Sequence, residues 1–272
     1  MSERSHYTID DLLTLMARLR DPDSGCPWDI RQDFASLVPF TVEEVYEVVD
    51  TIERGDYSHL GEELGDLLFQ IVFYARVAEE EGLFDFASVV DGIVCKLLAR
   101  HPHVFPAGTL ASRRTTGETD EHQIKNQWEA IKAGERQSKG HSGLLADIPA
   151  ALPALVRAQK VQKRAAGAGF DWTSIQGVMA KTHEELEELQ QAITAQDITE
   201  IADELGDLLF CCVNLARHAG VDAETVLRRA TLKFEGRFKC MEQLLAARGE
   251  TFAGRDAEAL DIVWREAKDL LA

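Results

Sequence analysis

The heptapeptide ELGDLLF occupies residues 63–69 and returns unchanged at 204–210. Seven identical residues do not recur by chance in a chain of 272, so the chain carries a duplicated unit. Glu63 and Asp66 stand three residues apart, as do Glu204 and Asp207. On an α-helix that spacing places both side chains on one face. Each copy therefore presents two carboxylates side by side.

The repeat widens in both directions. At the same displacement of 141 residues, Glu43, Glu44 and Glu47 match Glu184, Glu185 and Glu188, and Ala75-Arg76 match Ala216-Arg217. The displacement falls to 137 where Asp85, Lys96 and Arg100 match Asp222, Lys233 and Arg237. It falls to 136 where Trp128 and Lys132 match Trp264 and Lys268. These length changes lie near 79–81 and within 103–122, polar stretches suited to helix ends and loops. The chain thus reads as one unit copied in tandem, the first over 1–140 and the second over 141–272, with GERQSKGHSG at 134–143 as the linker.

Helical periodicity dominates both halves. Ile9, Leu12, Leu13, Met16 and Leu19 form one apolar stripe, and Val42, Val45, Val49 and Ile52 form a second. Thr41 with Glu44 resembles a capping box opening that second helix, and Gly55 is a plausible stop. Further helices are expected over 60–80 and 86–100, the latter ended by His101-Pro102. The Ser-, Thr- and Gly-rich stretch 106–122 reads as a loop, followed by a short helix carrying Trp128 and Lys132. The second copy is expected to be helical near 153–166, 175–194, 197–219, 223–247 and 256–271. Few segments alternate with strand period. The fold class is all-α, with two helical-bundle units.

Composition narrows the function classes. With 29 basic against 47 acidic residues, the net charge of −18 disfavours a nucleic-acid-coating surface. No apolar run is long enough to span a membrane, and no signal-peptide pattern opens the chain. Cys26, Cys95, Cys211, Cys212 and Cys240 show no CxxC spacing and read as reduced residues of a cytoplasmic protein, mostly packed in the core.

Each copy reads EExxE, a short gap, then ExxD. In the second copy Glu185 and Glu188 sit on one expected helix, and Glu204 and Asp207 on the next. A short gap favours antiparallel neighbours, and the flanking Val45, Val48, Leu64 and Leu67 of the first copy turn the acids toward a bundle interior. Four carboxylates held close repel one another, and a cation resolves this. Oxygen donors without His or Cys suit Mg²⁺, with Mn²⁺ as a substitute. A single EExxE is ordinarily a solvated helix face, but its pairing with ExxD on the next helix occurs twice. A di-iron bundle would need an ExxH pair, and Asp stands where His would be. The first copy offers a second possible metal site at Glu44, Glu47, Glu63 and Asp66.

Cations accompany the acids. Lys233 and Arg237 share a helical face, as do Trp264 and Lys268. A divalent cation with Lys and Arg is the equipment for a polyphosphate, whose charge must be neutralised during transfer. Trp264 could stack on a base or pack in a core. No GxxxxGK[ST] is present, so a P-loop is unsupported.

The two copies differ around their acids. Lys181 lies one turn before Glu185, where the first copy has Phe40; Asn214 lies two turns after Asp207, where the first copy has Phe73. The second copy is therefore expected to be the main catalyst. Glu185, Glu188, Glu204 and Asp207 are read as metal ligands, and Lys181, Lys233 and Arg237 as a polyphosphate clamp. Asn214 offers an amide to metal, phosphate or base, while Trp264 and Lys268 complete the pocket. Glu184 could contact sugar or base, or act on water.

Taken with GCPWD at 25–29, RHPHVF at 100–105, DIPAALPAL at 147–155 and GFDW at 169–172, this pattern resembles the MazG family of all-α nucleoside triphosphate pyrophosphohydrolases. The resemblance covers nearly the whole chain. It implies Mg²⁺-dependent hydrolysis of NTPs and dNTPs to monophosphate and pyrophosphate. It also implies a homodimer whose four-helix bundles are partly built across the subunit interface. Two other readings stay open at this point: a narrower house-cleaning dNTP pyrophosphatase, and a non-catalytic helical regulatory module.

Overall fold

The structure is a computed structural model and describes residues 6–114, 124, 127, 128, 131, 134, 135 and 143–271. Its regular elements are helices, and no strand occurs among the described residues. In the first unit these are α1 (Ile9–Leu19), α2 (Pro27–Ile30), α3 (Phe34–Arg54), α4 (Leu60–Glu80) and α5 (Phe86–Arg100). In the second they are α6 (Ala154–Gly167), α7 (Ile175–Ala195), α8 (Ile198–His218), α9 (Ala223–Ala247) and α10 (Ala257–Leu270). Two compact units result, Met1–Lys132 and Ala133–Ala272. The expected boundary at 140 and 141, most of the expected linker and Lys132 lie outside the described residues, while Trp128 is helical.

The duplication is visible in the helices themselves. α3 and α7 are each 21 residues long and begin at equivalent positions, and α4 and α8 are each 21 residues long as well. α5 and α9 open on equivalent caps. Asp85 accepts from the Ser88 backbone N–H at 2.7 Å, and Asp222 from that of Thr225 at 2.9 Å. Such a cap satisfies an orphan N–H of the first turn and is worth about 1 kcal/mol. Within each unit the two 21-residue helices pack most extensively on each other, α3 on α4 and α7 on α8. Only Gln196 and Asp197 separate α7 from α8, so the chain reverses and the helices are antiparallel. Gln196 takes the left-handed conformation that closes α7, at φ 58°, and the Asp197 side chain accepts from the N–H groups of Thr199 and Glu200 to open α8. Gly55 closes α3 as expected, at φ 69°.

One helix start differs from expectation. α3 begins at Phe34, well before Thr41, because Asp33 and Ser36 form the capping box: Asp33 accepts from Ser36 N–H, and Ser36 Oγ accepts from Asp33 N–H. Pro39 is accommodated inside the helix. Thr41 is interior, its hydroxyl lying 3.1 Å from the Leu37 carbonyl and 3.0 Å from the Tyr74 hydroxyl. The cysteine expectation also needs correction. All five are free thiols, but Cys95 and Cys212 are exposed and the others only half-buried, since the apolar faces carrying them are themselves partly open.

In the first unit Met16, Leu37, Val72, Phe73 and Val77 form the buried core, drawing α1, α3 and α4 together. A buried arginine ties the loop before α3 to this core. Arg20 donates to the Asp29 and Gln32 carbonyls and, at 2.7 Å, to Glu80 at the end of α4. Gly25 in that loop has no room for a side chain, because a Cβ would lie 2.4 Å from the Leu19 carbonyl oxygen. In the second unit the buried core is Met241, Leu245, Val263 and Ala267, where α9 and α10 meet.

Candidate metal and nucleotide site

The antiparallel α7–α8 pair brings Glu185, Glu188 and Glu204 together. One carboxylate oxygen from each lies within 4.8 Å of the others. Glu185 is 4% exposed, so a charge that water would ordinarily solvate is held against protein. Glu204 answers by a raised pKa, caused first by desolvation and then by repulsion from Glu188, Glu185, Asp207 and Glu200. Asp207 contributes to that field but stands outside the tight group and is exposed. The donors are all carboxylate oxygens, a set that a hard divalent cation would satisfy. The expectation of inward-facing acids thus holds most strongly for Glu185. The neighbouring leucines behave differently, since Leu64, Leu205 and Leu209 are exposed.

Lys181 sits directly on this cluster. Its ammonium is 2.7 Å from Glu184 and 2.8 Å from Glu185, and its pKa is raised first by the Glu184 contact and then by that of Glu185. Further along α8, Cys211 faces the same place: burial pushes its thiol up, followed by the field of Glu185.

The first unit repeats the acidic half only. Oxygens of Glu44, Glu63 and Asp66 also lie within 4.8 Å of one another. Glu44 has a raised pKa, by burial first and then by Asp66 and Glu47. Glu47 itself stands outside the close trio. Where Lys181 stands in the second unit, Phe40 makes an edge contact with Trp28, ring centroids 5.5 Å apart. Where Asn214 stands, Phe73 is 1% exposed and belongs to the core.

The remaining expected residues gather on α9 and α10. The Arg237 guanidinium lies 5.8 Å from the Trp264 ring centroid, and Phe234 packs on that ring at 5.1 Å. Trp264 also borders the α9–α10 core, so it is half-buried rather than an open platform. Lys233 and Lys268 are exposed on the same helices. Neither Lys233 nor Arg237 is ion-paired among the described residues, which leaves both available to an anion.

Sequence reading missed one network. Arg217, near the end of α8, grips Asp171 of the GFDW loop through both terminal nitrogens, one of them at 2.9 Å. His218 Nε2 and the Trp172 N–H reach the same carboxylate at 3.1 and 2.8 Å. The Arg217 contacts, ahead of the smaller His218 contribution, lower the Asp171 pKa to about 2. Trp172 lies on α7 at Gly177, where an added Cβ would come within 2.7 Å of its ring. The signal was present in the repeat itself. Arg76, the counterpart of Arg217, pairs with Glu80, which holds Arg20 and the preceding loop. Both copies use the equivalent arginine to tether the segment before their first long helix.

Paired antiparallel helices cluster carboxylates twice in this all-α chain, and each cluster could hold a metal ion. The family model described as the MazG nucleotide pyrophosphohydrolase domain matches residues 32–105 and again 173–241. The chain belongs to the MazG family. A nucleoside triphosphate pyrophosphohydrolase of Escherichia coli (strain K12) is 49% identical over 264 residues, spanning 96% of this chain and 97% of that one. The nucleoside triphosphate pyrophosphohydrolase/pyrophosphatase MazG of Thermotoga maritima is 41% identical over 260 residues, spanning 96% and 95%. A solved mazG-related protein from Thermotoga maritima aligns with 46% of this chain and 98% of its own at 25% identity, with a TM-score of 0.38.

The Asp171 network makes a stability prediction. A carboxyl held at about 2, against its ordinary 3.8, contributes stability above about pH 4 that is lost as pH falls through about 2. Allowing for solvent screening, the contribution is about 1 kcal/mol. Asp171→Asn should therefore lower urea stability at pH 7 by about that much, with the deficit shrinking toward zero near pH 2. A deficit independent of pH would contradict the ion-pair account.

Proposed function

We propose that this chain is a Mg²⁺-dependent nucleoside triphosphate pyrophosphohydrolase, converting NTPs and dNTPs to monophosphate and pyrophosphate, with the second unit as its main catalyst. The observation that carries this is the convergence of Glu185, Glu188 and Glu204 beneath Lys181 in a chain of the MazG family. The relatives from Escherichia coli and Thermotoga maritima, named for the same activity, match this chain along nearly its full length. The reading as a non-catalytic module predicts solvated acids, whereas Glu185 is buried and Glu204 has its pKa raised first by desolvation and then by its acidic neighbours.

Magnesium, or manganese in its place, would be held by Glu185, Glu188 and Glu204, with Asp207 beside them, and would offset charge on the phosphate oxygens. Lys181 stands at the mouth of this cluster and turns its ammonium toward the triphosphate when substrate enters. Lys233 and Arg237, free of ion pairs among the described residues, supply further positive charge for the phosphates. Trp264 and Lys268 border the nucleotide. Glu184, exposed and paired with Lys181, is placed to meet sugar, base or attacking water. In the first unit, Phe40 and the buried Phe73 leave the acids without those partners, so that unit binds metal weakly and serves mainly in assembly.

The assembly is a homodimer in the cytoplasm. Leu64, Leu68 and Ile71 on α4, and Val89, Val90, Ile93 and Leu97 on α5, are exposed on one chain, a larger apolar display than a lone subunit ordinarily carries. No described helix is long and apolar enough to cross a membrane.

Glu185→Gln should reduce pyrophosphate release from ATP with Mg²⁺ at least about 100-fold, whereas Glu44→Gln should retain most of it. Equal losses would sink the assignment of the catalytic unit. Sedimentation of the wild type should give twice the chain mass, and a single-chain mass would contradict the dimer.

A further inference from the structure

Asn214 lies on the face of α8 that carries Glu204 and Asp207, two turns, or about 10 Å, beyond Asp207. Its side-chain oxygen accepts from Arg217 Nε at 3.0 Å and from Arg217 Nη2 at 2.7 Å. A guanidinium only donates, so the amide atom facing it must be the oxygen. Nδ2 has no hydrogen-bond partner among the described residues. Arg217 is itself fixed from the other side by Asp171. Asp171 in turn is set by the Trp172 N–H and by His218, and the Trp172 ring rests at Gly177, one turn before Lys181. A rigid relay therefore runs from the GFDW loop through Arg217 to one amide.

We propose that Asp171 and Arg217 are positioning residues that lock Asn214 with its Nδ2 toward the substrate, where it donates a hydrogen bond to an oxygen of the nucleoside portion. This rests on the pyrophosphohydrolase reading and sharpens it. With Oδ1 engaged twice, Asn214 is no metal ligand, and its two amide hydrogens select an acceptor. The position fits the nucleoside end, because Lys181 and the carboxylates would take the phosphates and Asn214 lies two turns beyond Asp207. The first unit lacks the device. Phe73 replaces the amide, and Arg76 spends its donors on Glu79 and Glu80.

The test is a set of mutant cycles on the full-length chain, read by calorimetric binding of α,β-methylene-ATP in excess Mg²⁺. Asn214→Ala and Asp171→Asn should each weaken binding about tenfold, and the double variant also about tenfold, because Asp171 acts through Asn214. Arg217→Lys, which keeps the charge but not the fork, should follow the same pattern and be silent in the Asn214→Ala background. Asn214→Asp keeps the pairing with Arg217 but removes the donor, and should bind at least as poorly as Asn214→Ala. The Mg²⁺ needed for half-maximal pyrophosphate release should be unchanged in Asn214→Ala. Additive losses, wild-type binding by Asn214→Asp, or a raised Mg²⁺ requirement in Asn214→Ala would each overturn this inference alone. A wild-type chain that neither binds the analogue nor releases pyrophosphate would overturn the activity, and the inference with it.

Discussion

Carboxylates that share a few ångströms of space repel one another, and a fold can hold them only by fixing their backbones. In each unit that task falls to a pair of 21-residue antiparallel helices. Short connections, aspartate caps and core packing set the register, and the register sets which acids meet. The pKa values of Glu204 and Glu44 are raised first by burial and then by the resulting repulsion. A divalent cation would convert it into binding energy, so the chemistry proposed for the site follows from how the helices are joined.

Duplication followed by divergence explains why two similar acidic clusters have different surroundings. The paired long helices keep their length, α5 and α9 keep equivalent aspartate caps, and the acids are kept. What changed is the side-chain environment. Phe73 fills the first unit's core, whereas Asn214 leaves an amide held by Arg217. Phe40 makes an edge contact with Trp28, whereas Lys181 pairs with the acids. The same arginine that tethers a loop in the first unit through Glu80 and Arg20 reaches the GFDW loop directly in the second.

Much of this was legible in the sequence, for identifiable reasons. An exact repeat displaced by 141 residues fixed the two-unit plan, and the three-residue spacing within ELGDLLF placed its acids on one face. The start of α3 was not legible, because Asp33 and Ser36 form a better cap than Thr41 and Pro39 is tolerated inside. The openness of Leu64, Leu205 and Leu209 was hidden too, because periodicity identifies an apolar face but not what covers it. The role of Arg217 required coordinates, since Asp171 is 46 residues away in sequence. Which three of the four acids converge also depends on helix rotation, which leaves Asp207 outside the close group.

The second unit's carboxylates are proposed as the metal site of a nucleotide hydrolase. Anomalous diffraction from crystals grown with Mn²⁺ and α,β-methylene-ATP tests this proposal most directly. The account predicts manganese coordinated by Glu185, Glu188 and Glu204, with phosphate oxygens completing its shell and Lys181 turned to the triphosphate. Manganese bound only at Glu44, Glu63 and Asp66, or a nucleotide bound away from the α7–α8 carboxylates, would contradict it.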